Sequence, residues 1–223
     1  MDKDKVIIIG SSGHSKVVID LFEKEGKYDI IGLIDDFREI GGETLGYKVL
    51  RGDLDVPELL KINPDAKLFV AIGDNWIRKI VVDKFESMIP NVTFATVVHP
   101  SAQIGKNVIL GKGIAIMAGA IINSSSLIGD FTIINTKASI DHDCEMGDFS
   151  SLAPNVTTGG NVSIGSYSAI SISATVLQGV SVGTHCVIGA GALLLKSCED
   201  NLVLYGSPAK EIRSRNIGDT YMR

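Results

Sequence analysis

The stretch "IDHDCEMGDF" at residues 140–149 brings together side chains that can bind a metal or move a proton. His142 stands between Asp141 and Asp143, and a cysteine and a glutamate follow. An imidazole beside a carboxylate can act as a general base, because the carboxylate fixes the ring's tautomer and stabilises the imidazolium. The same residue types also form metal sites. A third interpretation is a solvated turn, and the direction in which each side chain points decides among the three.

The composition narrows the classes of function. The chain has 223 residues, 45% of them hydrophobic, and a formal net charge of -5. No basic run interleaved with aromatic residues is present, so a nucleic-acid partner is not expected. The apolar stretch "VIIIG" is too short for a signal sequence, and no stretch approaches a membrane-spanning length. Three cysteines without paired spacing fit a reducing compartment, so we expect a cytoplasmic protein without membrane insertion.

Residues 5–95 alternate between predicted strands and predicted helices. The runs "KVIIIG", "DIIGLIDD" and "AKLFVAIGDN" are short and apolar, as is typical of buried strands. The segment "SKVVIDLFEKEG" has apolar residues at helical spacing and ends on Gly26, and a second helical stretch runs from Trp76 to about Met88. This alternation predicts a small parallel sheet covered by helices, which is a Rossmann-like α/β domain over residues 1–96.

From Val98 onward the sequence repeats in hexads. Residues 98–199 divide into seventeen hexads without a break in register, and the first position is apolar in all but one, which holds Thr158. The fifth position is always small or β-branched, and Gly, Asn and Asp supply turn residues between. This pattern resembles the hexapeptide-repeat left-handed parallel β-helix, in which three hexads make one triangular coil. We therefore predict a β-helix domain over residues 97–223, with a C-terminal tail.

The hexad register sets the direction of each side chain in the opening motif. Cys144, Cys186 and Cys198 all fall at the fifth position, so each is expected to be buried as a small apolar residue. His142 and Asp143 fall at the third and fourth positions and are expected on an outward-facing corner. A metal site that uses both His142 and Cys144 is therefore disfavoured, and the four histidines show no ligand spacing. No metal site is expected.

Five motifs occur in an order that resembles a known family: "GSSGHSKVV", "LIDD", "AIGDN", "NTKASIDHDC" and "GSPAK". Together they are similar to the bacterial sugar O-acyltransferase family, which includes nucleotide-sugar 4-N-acetyltransferases and sialic acid O-acetyltransferases. The resemblance implies a homotrimer of β-helices with the acyl-CoA in the cleft between neighbouring helices. It implies that His142 is the catalytic base, that Asp143 orients it, and that Asn135 lines the same cleft.

The resemblance also implies acetyl-CoA as co-substrate, with no metal. Ser151 stands where many relatives carry a histidine at the acetyl end of the cofactor, and its hydroxyl can donate a hydrogen bond but cannot become charged. Backbone N–H groups near Gly159 and Gly160 are candidates for holding the thioester oxyanion, although glycines in this repeat also serve as plain turn residues. Lys210 is expected near a phosphate of coenzyme A, unless "GSPAK" only ends the last coil. The pantetheine arm is expected against Ile172, Gly189, Ala190 and Gly191.

The N-terminal domain is expected to bind the other substrate. "GSSGH" lies between a strand and a helix, where backbone N–H groups and the helix dipole attract a phosphate. It lacks the third glycine of the dinucleotide fingerprint. The resemblance assigns the substrate site to six residues of this domain: Ser12, Gly13, His14, Asp35, Asp36 and Gly73. The two aspartates are expected at the base or ribose of a nucleotide, with a plain acidic turn as the alternative.

These observations predict an acetyl-CoA-dependent N-acetyltransferase that acts on a nucleotide-activated 4-amino-4,6-dideoxy sugar, for surface polysaccharide or glycan assembly. Sugar O-acetylation of the sialic acid type keeps the same fold and is the nearest alternative. A non-catalytic β-helix scaffold is the alternative from another class. The two aspartates suit UDP, dTDP and GDP alike.

Overall fold

The computed structural model describes residues 3–221, which fall into two compact units. Within the described residues, the first unit comprises 3–73 and Ile77–Val98, and the second comprises Asp74–Trp76 and 99–221. The sequence predicts two contiguous domains with their boundary between residues 96 and 97. The second unit also takes in three residues at the start of a helix, which no local sequence pattern indicates.

The first unit is a five-stranded sheet with helices. Its strand order is β3-β4-β2-β1-β5, in which β1, β2, β4 and β5 are parallel and β3 pairs antiparallel with β4. The predicted strand–helix alternation is confirmed, whereas the β3–β4 hairpin and helix α2 were not predicted. The elements from the N-terminus to residue 98 are β1 (Asp4–Ile9), α1 (Gly13–Glu25), β2 (Tyr28–Ile34), β3 (Glu43–Thr44), β4 (Tyr47–Arg51), a 3-10 turn (Asp53–Asp55), α2 (Val56–Ile62), β5 (Lys67–Val70), α3 (Asn75–Met88) and β6 (Val97–Val98).

The core of this unit follows from its sequence pattern. Residues 6–9 of β1 are all buried, as expected for a parallel strand that is covered on both faces. Helix α1 buries Val18, Ile19 and Phe22 against the sheet and ends at Gly26, whose φ of 71° suits the left-handed cap. Among residues 3–221, no helix is long and apolar enough to cross a membrane.

The second unit is a parallel β-helix built from two-residue strands. Each strand pairs with the strand three hexads further along the chain, so three hexads make one coil. Face 1 contains β9 (Ala115–Ile116), β12 (Ile133–Ile134), β15 (Ser151–Leu152), β18 (Ala169–Ile170) and β21 (Val187–Ile188), continued by β23 (Leu202–Tyr205) and β24 (Lys210–Ser214). Face 2 contains β7 (Gln103–Ile104), β10 (Ile121–Ile122), β13 (Ser139–Ile140), β16 (Thr157–Thr158), β19 (Thr175–Val176) and β22 (Leu193–Leu194). Face 3 contains β8 (Ile109–Leu110), β11 (Leu127–Ile128), β14 (Glu145–Met146), β17 (Ser163–Ile164) and β20 (Ser181–Val182).

Three corners connect these faces, and each corner recurs once per coil. We define corner 1 between faces 1 and 2, corner 2 between faces 2 and 3, and corner 3 between faces 3 and 1. Corner 1 includes residues 135–138, 153–156, 171–174 and 189–192; corner 2 includes 123–126, 141–144, 159–162 and 177–180; corner 3 includes 129–132, 147–150, 165–168 and 183–186. The predicted fold class, an α/β domain followed by a parallel β-helix, is confirmed.

The hexad register predicts burial along most of the β-helix and fails at its two ends. First positions are buried from Ile116 to Leu194. Ile104 is 41% exposed and Leu110 is half-buried, because the first coil has a neighbouring coil on one side only. Cys144 and Cys186 are buried as predicted. The prediction that Cys198 is buried is wrong: the residue is half-buried, because it lies on the last hexad.

The fourth position of every hexad from residue 107 to residue 191 has a positive φ. This left-handed conformation turns the chain at each corner, and glycine, asparagine and aspartate adopt it most easily. Corner 3 places larger residues there, namely Phe131, Phe149, Tyr167 and His185. Their rings stack along the corner with centroids 4.9, 5.7 and 4.6 Å apart, and this contact offsets part of the backbone cost.

Candidate functional site

His142 and Asp143 lie at corner 2, between β13 and β14. Asp143 occupies the fourth hexad position with a φ of 57°, which aspartate tolerates better than most residues. Both side chains point outward, with 48% and 55% of their surface exposed, whereas Cys144 points inward and is 2% exposed. The directions agree with the hexad register. Within residues 3–221, no group of three or more His, Cys, Asp or Glu side chains is arranged to hold a metal ion.

A hydrogen bond joins the imidazole of His142 to the carboxylate of Asp143. The Nδ1 and Oδ2 atoms are 2.7 Å apart. Because an ionised carboxylate only accepts hydrogen bonds, Nδ1 carries the proton and Nε2 of the neutral ring is the acceptor. This hydrogen bond and the charge of Asp141 raise the pKa of His142 above its ordinary value of 6.5. The exposed nitrogen of the ring is therefore a stronger base than that of a free histidine.

Asp141 holds the backbone of His142 in place. Its Oδ1 accepts the backbone N–H of His142 at 2.8 Å and the side-chain amide of Asn123 at 2.9 Å. The hydrogen bond from His142 and that from Asn123 lower the pKa of Asp141, so the carboxylate stays ionised. Asn123 lies on the same corner, on the coil before that of Asp141. Asp141 stands in the same motif as Asp143, but its role in holding the backbone of His142 was not predicted from the sequence.

Gly160 provides the surface on which the His142 ring lies. A Cβ atom at residue 160 would be 2.6 Å from Cε1 and 2.7 Å from Nε2 of that ring, closer than real Cβ atoms approach other atoms. Gly160 lies on corner 2 as well, on the coil that follows His142. The backbone N–H of Gly159 donates to Val176 at 2.9 Å, whereas that of Gly160 donates to no acceptor within residues 3–221. Of the two candidate oxyanion donors, only Gly160 has an uncommitted N–H group.

The other residues predicted to line the cofactor cleft do not lie at corner 2 with His142, but on face 1 and at corner 1. Ser151 lies on face 1 in β15, half-buried. Asn135 has its Oδ1 bonded to the N–H of Thr136 at 2.8 Å. One corner, corner 1, holds five of the predicted residues: Asn135, Ile172, Gly189, Ala190 and Gly191. Within one coil, face 2 separates this set from His142.

Two of the corner 1 residues are glycine for structural reasons: Gly189 because of a close contact and Gly191 because of its backbone conformation. A Cβ atom at Gly189 would lie 1.7 Å from the ring of Tyr205, so the C-terminal strand β23 requires glycine there. Gly191 has a φ of 65°. Ile172 is 54% exposed, which leaves it open to a ligand. Lys210 pairs with Tyr205 at the start of β24 and is exposed.

The first unit carries two adjoining cavities at the carboxyl ends of its parallel strands. The strand-end cavity has a volume of about 460 Å³ and is lined by Gly10, Asp35, Asp36, Phe37, Ile72 and Ile77, among others. The helix-start cavity, also about 460 Å³, is lined by residues that include Gly13, Lys16, Glu39 and Thr44. Ser12 and Arg38 line both. Ligands of open α/β sheets bind at this edge, outside the ends of the strands.

The two predicted aspartates are tied into the walls of the strand-end cavity. Asp35 accepts the backbone N–H of Ser11 at 2.8 Å and that of Phe37 at 2.9 Å. Asp36 accepts the N–H of Asp53 at 2.8 Å. Lys84 binds Asp53 at 2.7 Å and lies 3.5 Å from Asp36, and the bond to Asp53 raises the pKa of Lys84. Each carboxylate oxygen can accept a further hydrogen bond, so both aspartates remain able to contact a ligand.

Ser12, Gly13, His14 and Gly73 occupy different parts of this region. Ser12 caps helix α1 and Gly13 begins it, with open space where a side chain would be. The His14 ring is largely enclosed, and burial together with the charge of Arg78 lowers its pKa to about 4. Its Nε2 makes no hydrogen bond with residues 3–221. Gly73 and Ile72 accept hydrogen bonds from Arg78, a buried residue that the sequence analysis did not identify.

Comparison with known proteins places the chain among solved acetyltransferases. A crystal structure of a histidine variant of perosamine N-acetyltransferase from Caulobacter crescentus, in complex with CoA and GDP-perosamine, is 36% identical. The alignment covers 94% of this chain and 97% of that one, with a TM-score of 0.88. The acetyltransferase domain of PglB from Neisseria gonorrhoeae, in complex with acetyl coenzyme A, is 30% identical with a TM-score of 0.84. That alignment covers 95% of this chain and 100% of that one.

Two further matches concern parts of the chain. The family model of the PglD N-terminal domain matches residues 5–85. The UDP-N-acetylbacillosamine N-acetyltransferase of Bacillus subtilis is 32% identical over 114 residues, which is 51% of this chain and 51% of that protein. The match therefore spans about half the length of this curated relative.

Replacing Asp143 with asparagine is expected to lower the pKa of His142 toward 6.5, because the hydrogen bond that His142 donates to Asp143 is the largest cause of its elevation. Asp141→Asn should lower it by less, since Asp141 acts on the ring through its charge alone. NMR titration of the His142 ring protons measures both shifts. Glu145→Gln, which removes an exposed charge two residues beyond Asp143, is the matched control. An unchanged titration in Asp143→Asn would contradict this assignment.

Gly160→Ala is expected to displace the His142 ring, because the added methyl group would overlap it. The bond to Asp143 should break and the pKa of His142 should fall, with little change in thermal stability, since an exposed side chain can move aside. Gly159→Ala is the contrasting variant, because its methyl group would lie 2.7 Å from the backbone nitrogen of Gln178 and should destabilise the coil. Calorimetry and NMR titration separate the two effects. A Gly160→Ala protein with an unmoved His142 ring would refute the packing argument.

Proposed function

The chain belongs to the family of hexapeptide-repeat nucleotide-sugar N-acetyltransferases, and we propose that it acetylates the amine of a nucleotide-activated 4-amino-4,6-dideoxy sugar with acetyl-CoA. The observation that carries this proposal is the His142–Asp143 pair on an open corner, with a raised histidine pKa and a free acceptor nitrogen. Two relatives that align over nearly the whole chain are named as an N-acetyltransferase and an acetyltransferase domain, in complex with CoA and with acetyl coenzyme A respectively. The product would serve surface polysaccharide or glycan assembly.

The reaction requires a base, and His142 is placed to supply one. As the sugar nitrogen attacks the thioester carbonyl carbon, it must lose a proton, and Nε2 of His142 accepts it. The imidazolium that forms is stabilised by Asp143 through Nδ1–H. The C–S bond then breaks, the acetyl group stays on the nitrogen, and the imidazolium returns its proton to the thiolate of CoA. The N–H of Gly160, a residue that packs against the same ring and has no acceptor within residues 3–221, is our candidate donor to the oxyanion.

We propose that the protein acts as a homotrimer with active sites between subunits. His142 and Gly160 occupy corner 2, whereas the residues assigned to the pantetheine arm occupy corner 1, across face 2 of the same coil. Two corners of one triangular coil cannot line a single groove, but corner 2 of one chain and corner 1 of a neighbouring copy can. A three-fold arrangement of triangular coils gives every chain both roles. Acetyl-CoA and nucleotide sugars are cytoplasmic metabolites, so we place the enzyme in the cytoplasm.

The acceptor is the first property to test. Purified protein and acetyl-CoA are incubated with UDP-, dTDP- and GDP-linked 4-amino sugars, with their 4-hydroxy counterparts and with free sialic acid. Loss of thioester absorbance is the readout, because thiol reagents would also attack the protein's own free cysteines. We expect turnover with one or more amino sugars and an N-acetyl product by mass spectrometry. Turnover on sialic acid alone would support O-acetylation, and no turnover on any acceptor would support a scaffold.

His142→Ala is expected to reduce kcat by about 100-fold or more, the loss typical of a missing general base. The affinity for acetyl-CoA, measured by calorimetry, should change little, because the lost group acts on the amine. His99→Ala, which removes a histidine from the first coil, is the control and should retain full activity. A His142→Ala enzyme with wild-type kcat would remove His142 from the mechanism.

A further inference from the structure

Phe37 presents its ring to solvent at the rim of the strand-end cavity. Its exposure is 96%, the highest among the large apolar side chains of residues 3–221. A single exposed apolar residue is ordinary on a protein surface. Phe37, however, follows the end of β2 and is fixed by its backbone N–H, which donates to Oδ1 of Asp35 at 2.9 Å. The backbone of Phe37 is therefore held at the rim of a cavity that this residue helps to line.

The lining of the strand-end cavity fits a flat heterocycle with polar edges. Aliphatic side chains, including Ile72 and Ile77, line it together with the carboxylates of Asp35 and Asp36. A nucleobase has two apolar faces and N–H groups on its rim, which a carboxylate can accept. The volume of about 460 Å³ lies within the range of small-molecule sites, roughly 300–1,000 Å³.

The adjoining helix-start cavity has the chemistry of a phosphate site. Helix α1 begins at Gly13, so its first backbone N–H groups and its dipole attract an anion. Lys16 and Arg38 place two positive charges in a lining that also contains the carboxylates of Glu39 and Glu43. Because Ser12 and Arg38 line both cavities, one nucleoside diphosphate can place its phosphates at the helix and its nucleobase in the strand-end cavity. This arrangement puts the nucleobase, rather than the phosphates, beside Phe37.

We propose that Phe37 is a substrate-positioning residue whose ring stacks on the nucleobase of the nucleotide sugar and covers it from solvent. The inference rests on the proposed function, since it concerns the nucleotide part of the same substrate. Stacking accounts for an exposed ring held at the cavity rim by a hydrogen-bonded backbone. It assigns to Phe37 a role that the aspartates cannot fill, because they reach only the edge of a nucleobase.

The test measures nucleotide binding directly. Isothermal titration calorimetry of the full chain with GDP, UDP and dTDP gives the Kd of wild-type, Phe37→Ala, Phe37→Leu and Phe37→Trp proteins. Loss of base stacking is expected to raise the Kd by about 5- to 100-fold in Phe37→Ala. Phe37→Trp should stay within about two-fold of wild type, because it keeps an aromatic face. In turnover assays, Phe37→Ala should raise KM for the nucleotide sugar and leave kcat nearly unchanged.

Two comparisons make the result decisive. Ile62→Ala removes another exposed apolar residue, 76% exposed at the end of α2 and outside both cavities, and should bind nucleotides as wild type does. Phe37→Leu keeps an apolar side chain without an aromatic face, so a wild-type Kd in that variant, or in Phe37→Ala, would overturn the stacking proposal alone. A wild-type protein that binds none of the three nucleotides would instead overturn the nucleotide-sugar function.

Discussion

The left-handed backbone at the fourth position of each hexad is the constraint on which the β-helix and its site depend. It turns the chain once per hexad, and at corner 2 the fourth side chains are exposed while the fifth side chains are buried. Aspartate is among the few residues that adopt this conformation easily. At corner 2 the turn residue is therefore also the hydrogen-bond partner of the histidine before it. One residue, Asp143, shapes the corner and holds the imidazole.

The regular period made much of the second unit predictable from sequence. The hexad phase fixes which side chains are buried, so the inward direction of Cys144 and the outward direction of His142 follow without coordinates. The contacts of Asn123 with Asp141 and of Gly160 with His142 join neighbouring coils. Their spacing of one coil is visible in the sequence, but the choice of partner depends on side-chain rotamers. The network of Lys84, Asp53 and Asp36 in the first unit follows no period, so no sequence pattern predicts it.

Two glycines that the sequence assigned to a ligand also contact a side chain of their own chain, and that contact explains why glycine is present. Gly160 and Gly189 were both expected to contact the cofactor. In the structure, a side chain from elsewhere in the chain covers each of them: the His142 ring in one case and the Tyr205 ring in the other. Glycine at a corner thus allows a ring from another part of the chain to lie against the backbone. At Gly160 this packing also positions the proposed base.

Solvent exposure decides which histidine can serve as a base near neutral pH. Burial and the nearby Arg78 lower the pKa of His14 to about 4, and burial and Arg215 lower that of His185. Both rings are neutral under physiological conditions and bind protons too weakly to assist an ammonium. At the exposed corner, the effects of Asp143 and Asp141 outweigh desolvation and raise the pKa of His142. An open corner flanked by two carboxylates is thus what a proton acceptor requires, and a buried pocket would have removed its basicity.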